Sequence, residues 1–225
     1  MNPRLGHSKP VAFTLLELLV VIAIIAVLAA MLLPTHSGRG PAYRFRCISN
    51  QRQLIIGLII FADDHASNFP SAISITNGGA SEAMAVGDVA PCFAAFSNIV
   101  RNPEVFRCPT DKKRFPVQPG QSLARTNVSY FVSLDASPTN SPTYSILTGD
   151  RHLEVNKKPV APGLFSLSTN QDLAWTTELH VINKKQKPSG GALGFADGHV
   201  EWASPTKLSE IVARQNMPTN RLAVP

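Results

Sequence analysis

Sixteen consecutive apolar residues, Leu18 to Leu33, run without a Gly or Pro and constrain this 225-residue chain more than any other feature. Read as a helix over 13–33 at ~1.5 Å per residue, the segment reaches ~31 Å, about the hydrocarbon thickness of a bilayer. The expectation is a single spanning helix, with residues 34–225 on one side. Nothing later in the chain is comparable, and a mean hydropathy of only +0.04 excludes a polytopic membrane protein. Charged residues make up 16% against a usual ~25%, and there are 18 prolines, the profile of a loop-rich body joined to an apolar segment. The net charge of +6 is spread thinly, and no window combines basic and aromatic residues densely enough to follow a nucleic-acid backbone.

A cleavable secretory signal would account for Arg4 and Lys9 and for the small residues Ala26, Ala29 and Ala30. Such signals carry only ~7 to 15 apolar residues before a polar cleavage site, whereas this run continues through Met31, Leu32 and Leu33. A plain anchor suits the length but gives no reason for Glu17. A carboxylate inside a spanning helix costs ~2.5 to 3.5 kcal/mol near its centre and marks a functional position by default.

Ala12-Phe13-Thr14-Leu15-Leu16-Glu17 followed by the apolar run resembles the cleavage and methylation segment of type IV prepilins and of type II secretion pseudopilins. The resemblance implies cutting between Ala12 and Phe13 by a prepilin peptidase, N-methylation of Phe13, and an assembly role for Glu17. Ala12 stands where the family carries Gly. Glu17 would neutralise the new amine of Phe13, on its own or a neighbouring subunit. Loss of the twelve-residue leader leaves 19 basic against 15 acidic side chains. Arg39, Arg44, Arg46 and Arg52 follow the helix and outnumber Arg4 and Lys9 before it, so charge counting opposes a cytoplasmic N terminus. The family nevertheless implies an inner-membrane, single-pass protein with its C-terminal domain periplasmic or extracellular. Its partners would be the peptidase, other pilin-like subunits in a homo- or hetero-oligomer, and inner-membrane lipid.

The expected fold is α+β and pilin-like: a long N-terminal hydrophobic helix, then an antiparallel β-sheet domain. Pro34 and Ser37-Gly38-Arg39-Gly40-Pro41 predict a kink or break near 34–41. The organisation is a leader at 1–12, the apolar helix at 13–33, a kinked connection and amphipathic helix at 34–65, and a β-rich domain at 66–225. Within the second helix, Phe45, Ile48, Ile55 and Ile59 are expected on one face. Cys47-Ile48-Ser49-Asn50-Gln51-Arg52-Gln53 and Cys108-Pro109-Thr110-Asp111 resemble a subgroup with a Cys-x-x-Asn-x-Arg-Gln helix and a Cys-Pro-x-Asp turn.

Strand-like runs occur at Val128 to Leu134, Tyr144 to Leu147 and Gly163 to Leu167. Asp197-Gly198 suits a two-residue type I′ turn, pairing Ala196 with His199, Phe195 with Val200 and Leu193 with Trp202. Leu193, Phe195, Val200 and Trp202 would then share the one buried face. Gly194 to Val200 also resembles the processing-associated domain named for His, nine residues, then Asp-Gly. Lys187 occupies the His position, and the nearest upstream His is His180.

Cys47, Cys92 and Cys108 allow one disulfide, and no Cys-x-x-Cys spacing is present. The subgroup motifs imply Cys47 with Cys108. Cys92 with Cys108 closes a shorter loop, and a pair of buried thiols is a third reading. Asp63, Asp64 and His65 read as a solvated helix end, and Asp150, Arg151 and His152 as a turn after a strand. Some pseudopilins hold calcium, but Asp172, Glu178 and Asp197 lack calcium-loop spacing, so neither metal nor cofactor is expected. Without a nucleophile elbow, His-Glu-x-x-His or phosphate loop, the expectation is a structural subunit rather than an enzyme. The rival is a monomeric, membrane-anchored extracytoplasmic binding or hydrolase domain that uses the prepilin segment for delivery alone.

Overall fold

The computed structural model describes residues 13–32, 39–139, 144–176, 190–215 and 217–225. The chain divides into two compact units, Met1–Gly38 and Arg39–Pro225. In the first, α1 covers Leu15–Leu32. Thr14 is its N-cap and Glu17 its third residue, and they satisfy each other's end groups. Thr14 N and Oγ1 both donate to Glu17 Oε2 at 2.9 Å, and Glu17 N donates back to Thr14 Oγ1 at 3.2 Å. This Thr-x-x-Glu capping box sets where the helix begins.

No helix among the described residues is long and apolar enough to cross a membrane. The 18 residues of α1 reach ~27 Å, short of a ~30 Å hydrocarbon core, and the first turn holds an acidic side chain. This corrects the expected long pilin helix, the single-pass topology and the inner-membrane localisation with an extracytoplasmic domain. Of the expected break at 34–41, residues 34–38 lie outside those described. A separate helix, α2, covers Arg39–Asp64, and Gly40 and Pro41 fall in its first turn, where a proline's missing N–H costs no helical bond.

In the second unit, α2 buries Cys47, Asn50, Gln51, Leu54, Ile55, Leu58, Phe61 and Ala62, a stripe spaced three and four residues apart. Of the expected face Phe45, Ile48, Ile55 and Ile59, Ile55 is fully buried, Ile48 and Ile59 are half-buried at its edge, and Phe45 is 69% exposed. Polar Asn50 and Gln51 lie inside the true stripe, which counting apolar residues alone could not reveal. The segment that follows holds two short helices, α3 (Ser81–Ala85) and α4 (Ala90–Ala95), and a 3₁₀ turn at Pro103–Phe106. Phe93, Phe96 and Phe106 cluster there edge to face with ring centres 5.7 to 6.3 Å apart, and join the α2 core.

The strands are β1 (Tyr130–Ser133), β2 (Ile146–Asp150), β3 (Leu153–Val155), β4 (Lys158–Pro159), β5 (Gly163–Ser168), β6 (Leu173–Trp175), β7 (Gly191–Phe195), β8 (Val200–Ala203) and β9 (Thr219–Val224). Helix α5 (Pro205–Arg214) stands between the last two. Six strands form one antiparallel sheet in the order β5-β9-β1-β2-β7-β8, and β4-β3-β6 form a smaller one. One face of the large sheet packs Tyr130, Val132, Leu147 and Ala196 against α2. The other packs Phe131, Ile146, Leu193 and Phe195 with Leu208, Ile211 and Val212 of α5 and Trp175 of β6. Expectation gave the sheet one buried side; every residue of β7 is buried because both faces are covered.

The final hairpin differs from expectation by one residue of register. Gly194 pairs with Val200, Leu193 with Glu201 and Ala192 with Trp202. Gly198 N donates to Phe195 O and Phe195 N to His199 O, which leaves a three-residue loop of Ala196, Asp197 and Gly198. Gly198 has φ +97° but Asp197 is not left-handed, so the type I′ turn, which needs positive φ at both centres, is excluded. A single-residue slip exchanges faces along a strand. Val200 and Trp202 therefore lie with Ala192 and Gly194, opposite Leu193 and Phe195. Gly194 is required on that face: a Cβ there would sit 2.2 Å from Ile55 Cδ1 of α2.

Candidate functional site

Two places carry the residues singled out from sequence: the apolar helix of the first unit and a buried polar cluster in the second. Along α1 the large side chains are exposed, from Leu15 at 81% through Ile22 to Leu28, as is Phe13 before it at 70%. Ala12 lies outside the described residues. Glu17 is fully exposed, and its carboxyl is held below the ordinary range by the Thr14 backbone N–H and then by the Thr14 hydroxyl. The capping box thus gives Glu17 a local reason that the plain-anchor reading lacked. An acidic group in the first turn also suits the helix dipole.

The second place forms where α2 crosses the sheet. Cys47 of α2 and Cys108, just after the 3₁₀ turn, bring their sulfurs to 2.9 Å although 61 residues separate them. Both are fully buried thiols. The Cys47 thiol is pushed up first by its hydrogen bond with Cys108 and then by burial. Protonated at neutral pH, it is no activated nucleophile. Cys92, on α4, is buried apart from sulfur contacts and pushed up by burial to about 12. The structure thus brings Cys47 to Cys108 and leaves Cys92 aside.

Asp150, Tyr130 and Asn50 complete the cluster. Tyr130 and Asp150 are cross-strand partners on β1 and β2. Asp150 is fully buried, and its Oδ2 accepts from Ala192 N at 2.7 Å. It is therefore the last residue of a central strand, and the expected turn after a strand starts only at Arg151. Asn50 Nδ2 donates to Arg107 O at 3.1 Å and to Tyr130 Oη at 3.4 Å, tying the helix to the Cys108 turn. Burial raises the Tyr130 hydroxyl well above its usual range. Asn50 stood in the Cys-x-x-Asn pattern, but Tyr130 and Asp150 had no signal, because only the β1–β2 register brings them to the thiols.

Cys47, Cys108 and Asp150 could hold a metal ion, with their ligand atoms within 4.8 Å of one another. Tetrahedral zinc with ~2.3 Å bonds separates two sulfurs by ~3.8 Å, so a pair at 2.9 Å is too close to flank that ion as placed. The spacing suits mutual thiol contact, short of the ~2.05 Å of a disulfide. Next to the cluster, Asp111 of the Cys-Pro-x-Asp turn accepts two hydrogen bonds from Arg151, at 2.7 and 3.0 Å, with His152 Nε2 at 3.8 Å. Asp197 lies at the hairpin turn, where its Oδ1 contacts His199 Nδ1 at 2.5 Å. Gly198 packs toward Ile59 of α2. His180, Glu178 and Lys187 lie outside the described residues.

No protein-family model, curated protein or solved structure matches the chain. The resemblance to prepilins therefore rests on the residues themselves.

Proposed function

We propose that this chain is a pilin-like structural subunit, cut by a prepilin peptidase between Ala12 and Phe13 and assembled through α1 with like subunits. The setting is a type II secretion or type IV pilus-like system. One observation carries the reading: beyond Glu17 in its first turn, α1 is apolar on all sides and exposed along its described side chains. A helix of that kind must be covered, and parallel copies of itself supply a matching surface. Fully burying one Leu or Ile side chain contributes ~1.5 to 3 kcal/mol, so a few such contacts suffice to hold neighbouring helices together. Glu17 then serves twice, capping its own helix and offering a carboxylate to the amine of a neighbouring Phe13.

Intact-mass analysis of the protein from its native host tests the processing half. The expected species begins at Phe13 and carries one added methyl group. A chain that begins beyond Ala29 would identify an ordinary secretory signal and remove this reading.

A further inference from the structure

Between the Cys108 turn and the small sheet lies a cleft of about 470 Å³ lined by Lys113, Arg114, Arg151, His152, Glu154 and Thr176 among others. Glu154 is its single acidic side chain among the lining residues. Arg151 is already committed to Asp111 through Nε and Nη2, and its Nη1 makes no hydrogen bond among the described residues. Arg114 is half-buried, and its Nε donates to Val128 O at 2.7 Å. Its Nη groups make no hydrogen bond among the described residues, although the Asp111 carboxylate is near enough to favour its charge. Burial, then the nearby charge of Arg151, makes the Arg114 cation harder to hold.

The same cleft contains an independent sign of a missing acceptor. Thr176 is only 8% exposed, and its Oγ1 is buried without a hydrogen-bond partner among the described residues. A buried hydroxyl left unsatisfied costs ~1 to 3 kcal/mol. Two guanidiniums with unused N–H groups among the described residues and an orphan hydroxyl share one chemical complement: an oxyanion, which accepts from all three.

We propose that this cleft binds a small ligand through an oxyanion group (phosphate, sulfate or carboxylate), held by the Arg114 guanidinium and the Thr176 hydroxyl with Arg151 and Lys113 adding charge. The cleft's size leaves room for a body as large as one sugar ring behind the headgroup. The proposal is independent of assembly through α1 and applies equally to a monomer.

Calorimetric titration of the full chain in a neutral detergent tests it, using inorganic phosphate, sulfate and glucuronate at constant ionic strength. Saturable binding of at least one is expected, and the preferred anion identifies the headgroup. Arg114→Lys keeps the charge but loses the planar fork, and Thr176→Val keeps the shape but loses the hydroxyl. Each should weaken binding about tenfold. Thr176→Val removes an unsatisfied group, so its Tm should equal or exceed that of wild type, which separates lost binding from lost folding. No saturable binding of any of the three anions, or equal affinity in wild type and Thr176→Val, would overturn the proposal.

Discussion

Cys47 Sγ lies 2.9 Å from Cys108 Sγ, joining the middle of α2 to the turn that leads into β1. Bonding the two would close a loop across 61 residues and stabilise the fold by ~4 kcal/mol on loop-closure grounds. Mild oxidation should therefore link Cys47 to Cys108 and raise Tm, with Cys92 left reduced. Non-reducing peptide mapping checks this. A Cys92–Cys108 link would contradict the observed packing.

Arg151 grips Asp111 where the carboxylate side chain is 1% exposed and the guanidinium 14%. Removing one member of a buried pair costs ~3 to 5 kcal/mol, so Arg151→Leu should lower stability at pH 7 by about 3 kcal/mol. Burial pushes the Asp111 carboxyl up, but Arg151 and His152 pull it further down, and the net direction is below the ordinary 3.8. A depressed carboxyl stabilises fully above its unfolded value and loses that effect as pH falls through the folded one. The difference between wild type and Arg151→Leu should accordingly shrink below pH 3.8 in urea titrations. A difference that persists undiminished at pH 2 would show that packing, not the ion pair, sets it.

Gly194 tests how closely α2 lies on the sheet. A Cβ there would come 2.2 Å from Ile55 Cδ1 and 3.0 Å from Thr148 Cγ2. Gly194→Val should destabilise by ~1 to 3 kcal/mol through overpacking, which lowers Tm by ~2 to 4 °C for each kcal/mol. Ile55→Ala in the same chain should restore part of the loss. Additive losses in the double variant would mean that the two side chains do not meet.

Much of this architecture was visible in local pattern. Thr14 and Glu17 carry the capping-box spacing, β1 and β5 fall inside apolar runs, and Gly198 marks the last hairpin. What was hidden depends on long-range pairing. Strand β9 begins Thr219-Asn220-Arg221, too polar to read as a strand, yet it lies between β5 and β1. Its Asn220 is buried because Ser133 Oγ donates to its Oδ1 at 2.6 Å and its Nδ2 donates to Ile146 O at 3.2 Å. Helix α5 carries its own start signal, with Ser204 as N-cap and Pro205 in the first turn. Asp150 and Thr176 each follow or end a short strand and look like loop residues until the second layer covers them.

The capping box makes the role of Glu17 separable into two parts. Glu17→Gln keeps an acceptor for the Thr14 N–H but removes the charge, while Glu17→Leu removes both. If capping is its whole role, the Gln variant should behave as wild type. If it also pairs with a neighbouring Phe13 amine, both variants should fail to assemble.

The most direct measurement is cross-linked oligomer yield through a cysteine placed near Phe13, with Phe13 itself kept, in a background lacking Cys92. Glu17→Gln and the parent are compared at equal amounts of protein cut after Ala12. Assembly through α1 predicts a ladder of oligomers in the parent and loss of most of it in Glu17→Gln. A lone monomer band in the parent, with processing intact, would contradict a structural subunit.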